Sequence, residues 1–202
     1  MFGKIRRLMG SGSVLGYFLQ VLPIACLAGI CFLAIRVCIL KKRGARVSPL
    51  TELLRCIFVC YLTGLVSLVI LPANFWLFVY DGIFLGWWYG LEGIFRIGNI
   101  SLVPSIIKWL RGGISIGRWG LTMLIGNVLM FIPLGFFIPL ITGIKSRKKM
   151  ILLAAAIPLF CESVQIFSGR NFDVDDLICN FIGIVIGAVI AFGVLKIWAS
   201  EE

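Results

Sequence analysis

The sequence predicts an all-α integral membrane protein with about five transmembrane helices and a Trp-rich interfacial or re-entrant segment between the second and the third. Apolar residues make up 60% of the 202-residue chain, which is more than a water-soluble domain of this length can bury. The apolar runs are helix-length, about 20 residues each. Membrane-spanning strands would be about half as long and would alternate apolar with polar residues.

The charge pattern excludes one class of partner. The formal net charge is +10, but the basic residues cluster at the ends of apolar runs, where cytoplasmic loops carry them. We therefore reject nucleic-acid binding and expect contact with anionic lipid headgroups. The chain has seven Cys and no His, and none of the Cys forms a CxxC pair. We therefore expect no bound metal, haem or other cofactor.

The first half of the chain begins with a basic tail, residues 1–13, and continues with two spans over residues 14–72. The first span, 14–40, is too long for the apolar core of a signal peptide and ends in a basic cluster, so we expect it to be retained. Arg36 near its end can extend to the headgroups. The second span, 53–71, is closed by Pro72.

Residues 73–120 do not read as a clean span, because charged residues interrupt an aromatic and Gly-rich segment. Trp and Tyr favour the boundary between water and lipid, so the segment predicts short interfacial or re-entrant helices. A plain amphipathic loop resting on the membrane is the alternative. The charged residues are Asp81, Glu92, Arg96, Lys108 and Arg111. The aromatic residues are Trp76, Trp87, Trp88, Tyr89, Trp109 and Trp119.

Three further spans, 121–144, 150–167 and 176–198, form a predicted core within residues 121–202. Proline and glycine in the first of them are expected to bend or interrupt that helix. A G-x-x-x-G motif in the last predicts close helix packing and is compatible with self-association. The residues assigned to helix shape and packing are Pro133, Gly135, Gly183 and Gly187.

Basic residues in short loops predict the orientation. They follow the first and third spans and place both connections in the cytoplasm, with the N-terminus outside. The loop after the fourth span carries one Arg and three Asp and lies outside in this arrangement. The basic N-terminal tail favours the opposite orientation. The loop residues are Lys41, Lys42, Arg43 and Arg46, and then Lys145, Arg147, Lys148 and Lys149.

Polar side chains of the last three spans are expected at similar depth. With a rise of about 1.5 Å per residue, Asn127 lies roughly 10 Å inside, Glu162 roughly 8 Å, Gln165 roughly 3 Å and Asn180 roughly 6 Å. Consecutive spans alternate in direction, so these groups lie on the same side of the membrane. Glu162 with Gln165, and Asp176 with Asn180, each share one face of a helix.

A polar pocket open to one membrane face follows as a hypothesis. Arg170 is the natural counter-ion for Glu162 or an Asp. Asp173 or Asp175 can instead cap the fifth helix, and the two Asn side chains can simply join helices. A carboxylate well inside the headgroup boundary needs a partner or a proton. Glu162 is therefore the candidate for a functional group, and a catalytic residue only if the protein is an enzyme.

These residues, in this order, resemble the VanZ-like family of bacterial membrane proteins over about residues 96–194. Arg96 precedes Ser101-Leu102-Val103-Pro104-Ser105, where the family often has Asn-Leu-Ile-Pro-Phe, which makes Arg96 and Ser101 secondary candidates. Two blocks carry the resemblance. They are Asn127-x-x-x-Phe131-x-Pro133-x-Gly135, and Glu162-x-x-Gln165 followed by Arg170-x-x-Asp173-x-Asp175-Asp176 and Asn180-x-x-Gly183-x-x-x-Gly187.

The resemblance implies a function in the bacterial plasma membrane, because the family is named for an accessory protein associated with resistance to teicoplanin, a glycopeptide with a lipid tail. One hypothesis is a non-enzymatic binder of a membrane lipid or a lipid-tailed glycopeptide. The alternative is an intramembrane enzyme on a lipid-linked, phosphate-bearing substrate. Glu162 would then be a general acid or base, and Asp173, Asp175 and Asp176 would hold a divalent cation or orient water. A self-contained transporter is disfavoured, because no internal repeat is visible.

Overall fold

The structure is a computed structural model that describes residues 2–44, 48–112 and 117–201. The chain divides into two compact units, Met1–Phe95 and Arg96–Glu202. Five described helices are long and apolar enough to cross a bilayer, which confirms the predicted all-α membrane fold. The candidate spans are Val14–Arg43, Pro49–Val69, Gly120–Thr142, Arg147–Ser168 and Val174–Ile197.

The N-terminal unit begins with three helices: α1 (Phe2–Met9), α2 (Val14–Arg43) and α3 (Pro49–Val69). Most of the predicted basic tail is therefore helical. The Ser13 hydroxyl caps α2 by accepting a hydrogen bond from the Gly16 N–H at 3.0 Å, as a free N–H in a first turn requires.

Helices α2 and α3 pack closely at Gly29, and an ion pair between Arg36 and Glu52 joins them near the C-terminal part of α2 and the start of α3. Gly29 of α2 leaves no room for a Cβ beside the Cys60 sulfur of α3. The Arg36 guanidinium donates two hydrogen bonds of 2.7 Å to Glu52, and Arg55 donates a third. The fork geometry suits a guanidinium and a carboxylate, so Arg36 has a protein partner in addition to any lipid headgroup.

The aromatic segment contains the short helix α4 (Phe75–Leu85) and a 3₁₀ turn at Tyr89–Leu91. Eleven residues extend about 16 Å, which is too short to cross a bilayer. The prediction of short helices is thus confirmed, and their depth in the membrane stays a prediction. The Arg6 guanidinium donates two hydrogen bonds, of 2.7 and 2.8 Å, to the buried Asp81 carboxylate. This pairing raises the pKa of Arg6.

Three residues named in the sequence analysis fall outside the described part of the chain or have side chains outside it. Arg46 lies outside the described residues, and so do the side chains of Trp109 and Trp119. The other aromatic residues of the segment include Trp87, Trp88 and Tyr89, whose side chains are exposed, as residues of a membrane interface are expected to be.

The C-terminal unit alternates helices with two short strands that the sequence did not predict. Strands β1 (Ile100–Ser101) and β2 (Phe172–Asp173) pair in parallel, with Ile100 opposite Phe172 and Ser101 opposite Asp173. The helices are α5 (Ser105–Leu110), α6 (Arg118–Thr142), α7 (Arg147–Gln165), which a 3₁₀ turn extends to Ser168, and α8 (Val174–Glu201).

Helices α6 and α8 form the tightest described contact of this unit, and glycine permits it. A Cβ at Gly183 would meet the Val128 carbonyl of α6, and one at Gly187 would meet the Ile132 carbonyl. A Cβ at Gly135 would likewise meet the Ile184 backbone of α8. The two glycines of the G-x-x-x-G motif thus lie where α8 approaches the α6 backbone within the chain. Self-association stays a prediction and would need another surface.

The prolines of α6 do not interrupt it. The helix is continuous from Arg118 to Thr142 with Pro133 and Pro139 inside it. The expected interruption is therefore wrong, and the alternative in that prediction, a bend, stays a prediction. The core beside the prolines holds Phe131 and Ile184, both 0% exposed.

Candidate functional site

Glu162 lies one turn before the end of α7 and is completely buried. Its Oε2 accepts a hydrogen bond of 3.1 Å from the Asp173 backbone N–H, just before α8 begins. Its Oε1 is buried and has no hydrogen-bond partner among the described residues. The carboxylate therefore faces protein rather than the acyl chains of a bilayer, and half of its hydrogen-bonding capacity is unused.

Helices α6 and α8 contribute a second polar contact close by. The Asn127 amide of α6 donates to the Asp176 carboxylate of α8. Asn180 follows one turn later on α8; it is 2% exposed, and its Oδ1 has no partner among the described residues. Asp176 also interacts electrostatically with Glu162. Three consecutive spans thus bring their polar groups together.

The two remaining aspartates have different structural roles. The Asp173 carboxylate accepts the Asp175 N–H at 3.0 Å, which makes Asp173 the residue that caps the first turn of α8. The Asp175 carboxylate accepts the Ser105 N–H at 2.7 Å instead. It thereby holds the start of α5 against the start of α8.

Arg170 and Gln165 line the turn between α7 and β2. Gln165 is buried, and its backbone carbonyl accepts the Arg170 N–H at 3.1 Å and the Ser168 hydroxyl at 2.9 Å. The half-buried Arg170 interacts favourably with both Glu162 and Asp176 through its charge. Arg170 therefore lies where a counter-ion of Glu162 or Asp176 would lie. Which carboxylate its guanidinium binds stays a prediction.

The segment from Arg96 to Ser105 lies against this turn. The sequence analysis named Arg96 and Ser101 of this segment only as secondary candidates. The Gly98 N–H donates to the Ile166 carbonyl at 2.8 Å, and the Phe172 N–H donates to the Asn99 carbonyl at 2.9 Å. A Cβ at Gly98 would meet the Arg170 carbonyl, so only glycine allows this close approach.

The sequence analysis gave too little weight to Ser101 of this segment and to Lys108 in the following helix α5. Ser101 accepts a hydrogen bond of 3.0 Å from the Lys108 ammonium, and its backbone pairs with Asp173. Lys108 was noted only as a charge that interrupts the aromatic segment. Lys108 lies more than 60 residues before the acidic cluster in the sequence, so no local signal linked the two. Arg96 itself is exposed, two residues before Gly98.

The acidic residues are not arranged as metal ligands. Within the part of the chain that the structure describes, no group of three or more Asp, Glu, Cys or His side chains is placed to hold a metal ion. Asp173 and Asp175 are turned towards backbone N–H groups.

Comparisons with known proteins give one positive result. Neither the curated proteins nor the solved structures include a match to this chain. The model of the VanZ/LLP1 family matches residues 58–197. This range covers more than half of the chain and extends beyond the expected 96–194, through part of α3 and all of α4. With the five candidate spans, it shows that the chain is a multi-pass membrane protein belonging to the VanZ/LLP1 family.

Proposed function

We propose that this protein binds the polar head of a lipid-tailed envelope molecule at the Glu162 site, in the bacterial plasma membrane. The observation that carries the proposal is the unused hydrogen-bonding capacity of a fully buried carboxylate. Burying a polar group without a partner is costly, so such a group in a membrane span points to a functional site.

The surroundings of the carboxylate suit the head of an amphiphile. Asn180 adds a second buried acceptor without a partner among the described residues, and Arg170 adds a positive charge. A head with several hydroxyl or amide N–H donors would satisfy both acceptors. A bare phosphate is an anion and would be repelled by the carboxylates. Sugar and peptide heads of envelope precursors, and of glycopeptides, have such donors.

Apolar side chains border the polar cluster and suit a lipid tail. Phe167 in the turn after α7 is 70% exposed, and Leu102 after β1 is 67% exposed. The positive-inside rule places this end of α6, α7 and α8 at the outer face, where lipid-tailed glycopeptides act. Sequestering or screening such molecules would link the site to teicoplanin resistance, as the family resemblance implies.

A binding measurement with isosteric variants tests the proposal. The full chain in lipid nanodiscs is titrated with a fluorescent lipid-linked cell-wall precursor and, separately, with labelled teicoplanin. Glu162→Gln keeps the shape of the side chain and should weaken binding by about tenfold to a hundredfold, because a hydrogen bond to a charged group is worth about 1.5–3 kcal/mol. Ser163→Ala, at an exposed neighbour on the same helix, should leave binding unchanged.

Other outcomes separate the alternatives. Unchanged affinity of Glu162→Gln for both ligands would overturn the site assignment. Release of a soluble head group by the wild-type protein, lost in Glu162→Gln, would favour the intramembrane enzyme over the binder. Expression in a teicoplanin-sensitive host supplies the physiological readout, with the same two variants.

A further inference from the structure

A second candidate site lies at the other end of α7 and α8, far along both helices from Glu162. A groove of about 400 Å³ runs between the start of α7 and the end of α8. Ligand sites typically enclose roughly 300–1,000 Å³. Its lining residues include Arg147, Ile151, Val185, Val189, Gly193 and Lys196.

The groove is apolar along its length and basic at its mouth. Val185, Val189 and Gly193 recur every four residues, so they share one face of α8. Arg147, the first residue of α7, and Lys196, near the end of α8, are the two charged residues of the lining. Since the two helices are antiparallel neighbours, the two cations lie at the same end of the pair.

Gly193 gives the groove its depth. A Cβ built there meets nothing within 4 Å, in contrast to Gly183 and Gly187 on the same helix, which contact α6. Gly193 is therefore not needed for packing between these helices. Its missing side chain leaves open space beside Val189, where an acyl chain can lie.

We propose that this groove binds one anionic phospholipid, with its acyl chain along α8 and its phosphate between Arg147 and Lys196. Basic pockets between transmembrane helices on the cytoplasmic side are suited to anionic lipid heads. The positive-inside rule assigns this end of the unit to the cytoplasmic leaflet. The site is distinct from the Glu162 site, and its charge has the opposite sign.

The test measures lipid selectivity of the full chain in bilayers. Spin-labelled phosphatidylglycerol and phosphatidylcholine report, by electron paramagnetic resonance, the fraction of lipid that the protein immobilises. Arg147→Gln with Lys196→Gln should lower the preference for phosphatidylglycerol by up to about thirtyfold, because each of the two cations at the phosphate contributes about 1 kcal/mol, or about fivefold. The exposed pair Lys148→Gln with Lys149→Gln removes the same charge from the first turn of α7, but neither residue lines the groove, so it should change the preference less than twofold.

A filling variant tests the groove itself. Gly193→Leu should reduce the immobilised fraction of phosphatidylglycerol without unfolding the protein, because the space is open and leucine favours helix. Gly126→Leu is the matched control, since a Cβ at Gly126 of α6 also meets nothing within 4 Å. Far-UV circular dichroism and a single elution peak verify the fold of each variant.

Three results would overturn the proposal. Equal losses in the two charge variants would mean diffuse surface attraction rather than a site. Immobilisation unaffected by Gly193→Leu would mean that lipid does not occupy the groove. Displacement of the labelled lipid by soluble glycerol phosphate would assign the cations to a free anion instead of a lipid.

Discussion

Gly187 lies where α8 crosses α6, and replacing it with alanine should push the two helices apart. The added methyl group would meet the Ile132 carbonyl oxygen, the Phe136 nitrogen and the Gly135 carbonyl carbon of α6. All three are backbone atoms, so no side-chain rotation can relieve the overlap. The helices must separate, or α8 must shift along its axis.

The size of the effect follows from two opposing terms. Overpacking a close contact costs typically about 1–3 kcal/mol, and the upper part of that range applies to backbone neighbours. Alanine gains about 0.8–1.0 kcal/mol over glycine in helix propensity. The variant should therefore lose about 1–2 kcal/mol of stability, whereas Gly193→Ala, with open space around it, should gain up to about 1 kcal/mol.

The assay is thermal unfolding of both variants in the same detergent, followed by circular dichroism. A difference of about 2–3 kcal/mol between them corresponds to a gap in melting temperature of about 5 °C or more for a chain of this size. Equal melting temperatures for Gly187→Ala and Gly193→Ala would refute the reasoning, because both substitutions have the same intrinsic propensity and differ only in what the methyl group contacts.

Three further experiments test the Asn127–Asp176 contact, the Arg6–Asp81 ion pair and the close approach at Gly98. Asn127→Ala and Asp176→Ala should each cost about 1–3 kcal/mol, and the double variant should cost less than their sum, which a thermal double-mutant cycle measures. Arg6→Gln should make the first ten residues easier to cleave by protease, because Asp81 is 4% exposed and would be left without its cation. Gly98→Ala should speed hydrogen exchange at the paired strand that follows α7, because its methyl group displaces that backbone.

Control variants with the same chemistry exist for Arg6→Gln and for Gly98→Ala. Lys4→Gln removes an exposed charge from α1 and should leave protease sensitivity unchanged. Gly117→Ala places a methyl group in open space and should not alter exchange at the strand. If the stability losses of Asn127→Ala and Asp176→Ala simply added in the double variant, the contact between the two side chains would contribute no coupling energy.

Much of the fold could be predicted because bilayer thickness and hydropathy act on local sequence. Each span needs about 20 apolar residues, and a run of that length is visible without any neighbour. The spans predicted at 53–71 and 150–167 therefore correspond to Pro49–Val69 and Arg147–Ser168 with shifts of a few residues. The depth argument likewise grouped Asn127, Glu162 and Asn180, since helical rise alone sets depth.

The sequence by itself determined the membrane class, the five spans and the residue types available at one end of the last three helices. Only the tertiary structure decided which partner each polar group takes: Asp173 with Glu162 through a backbone N–H, Asp176 with Asn127, and Asp175 with Ser105. Strand pairing between residues 100–101 and 172–173 was also beyond prediction. Its two-residue strands leave no periodic pattern, and contacts across some 70 residues depend on how helices pack rather than on local sequence.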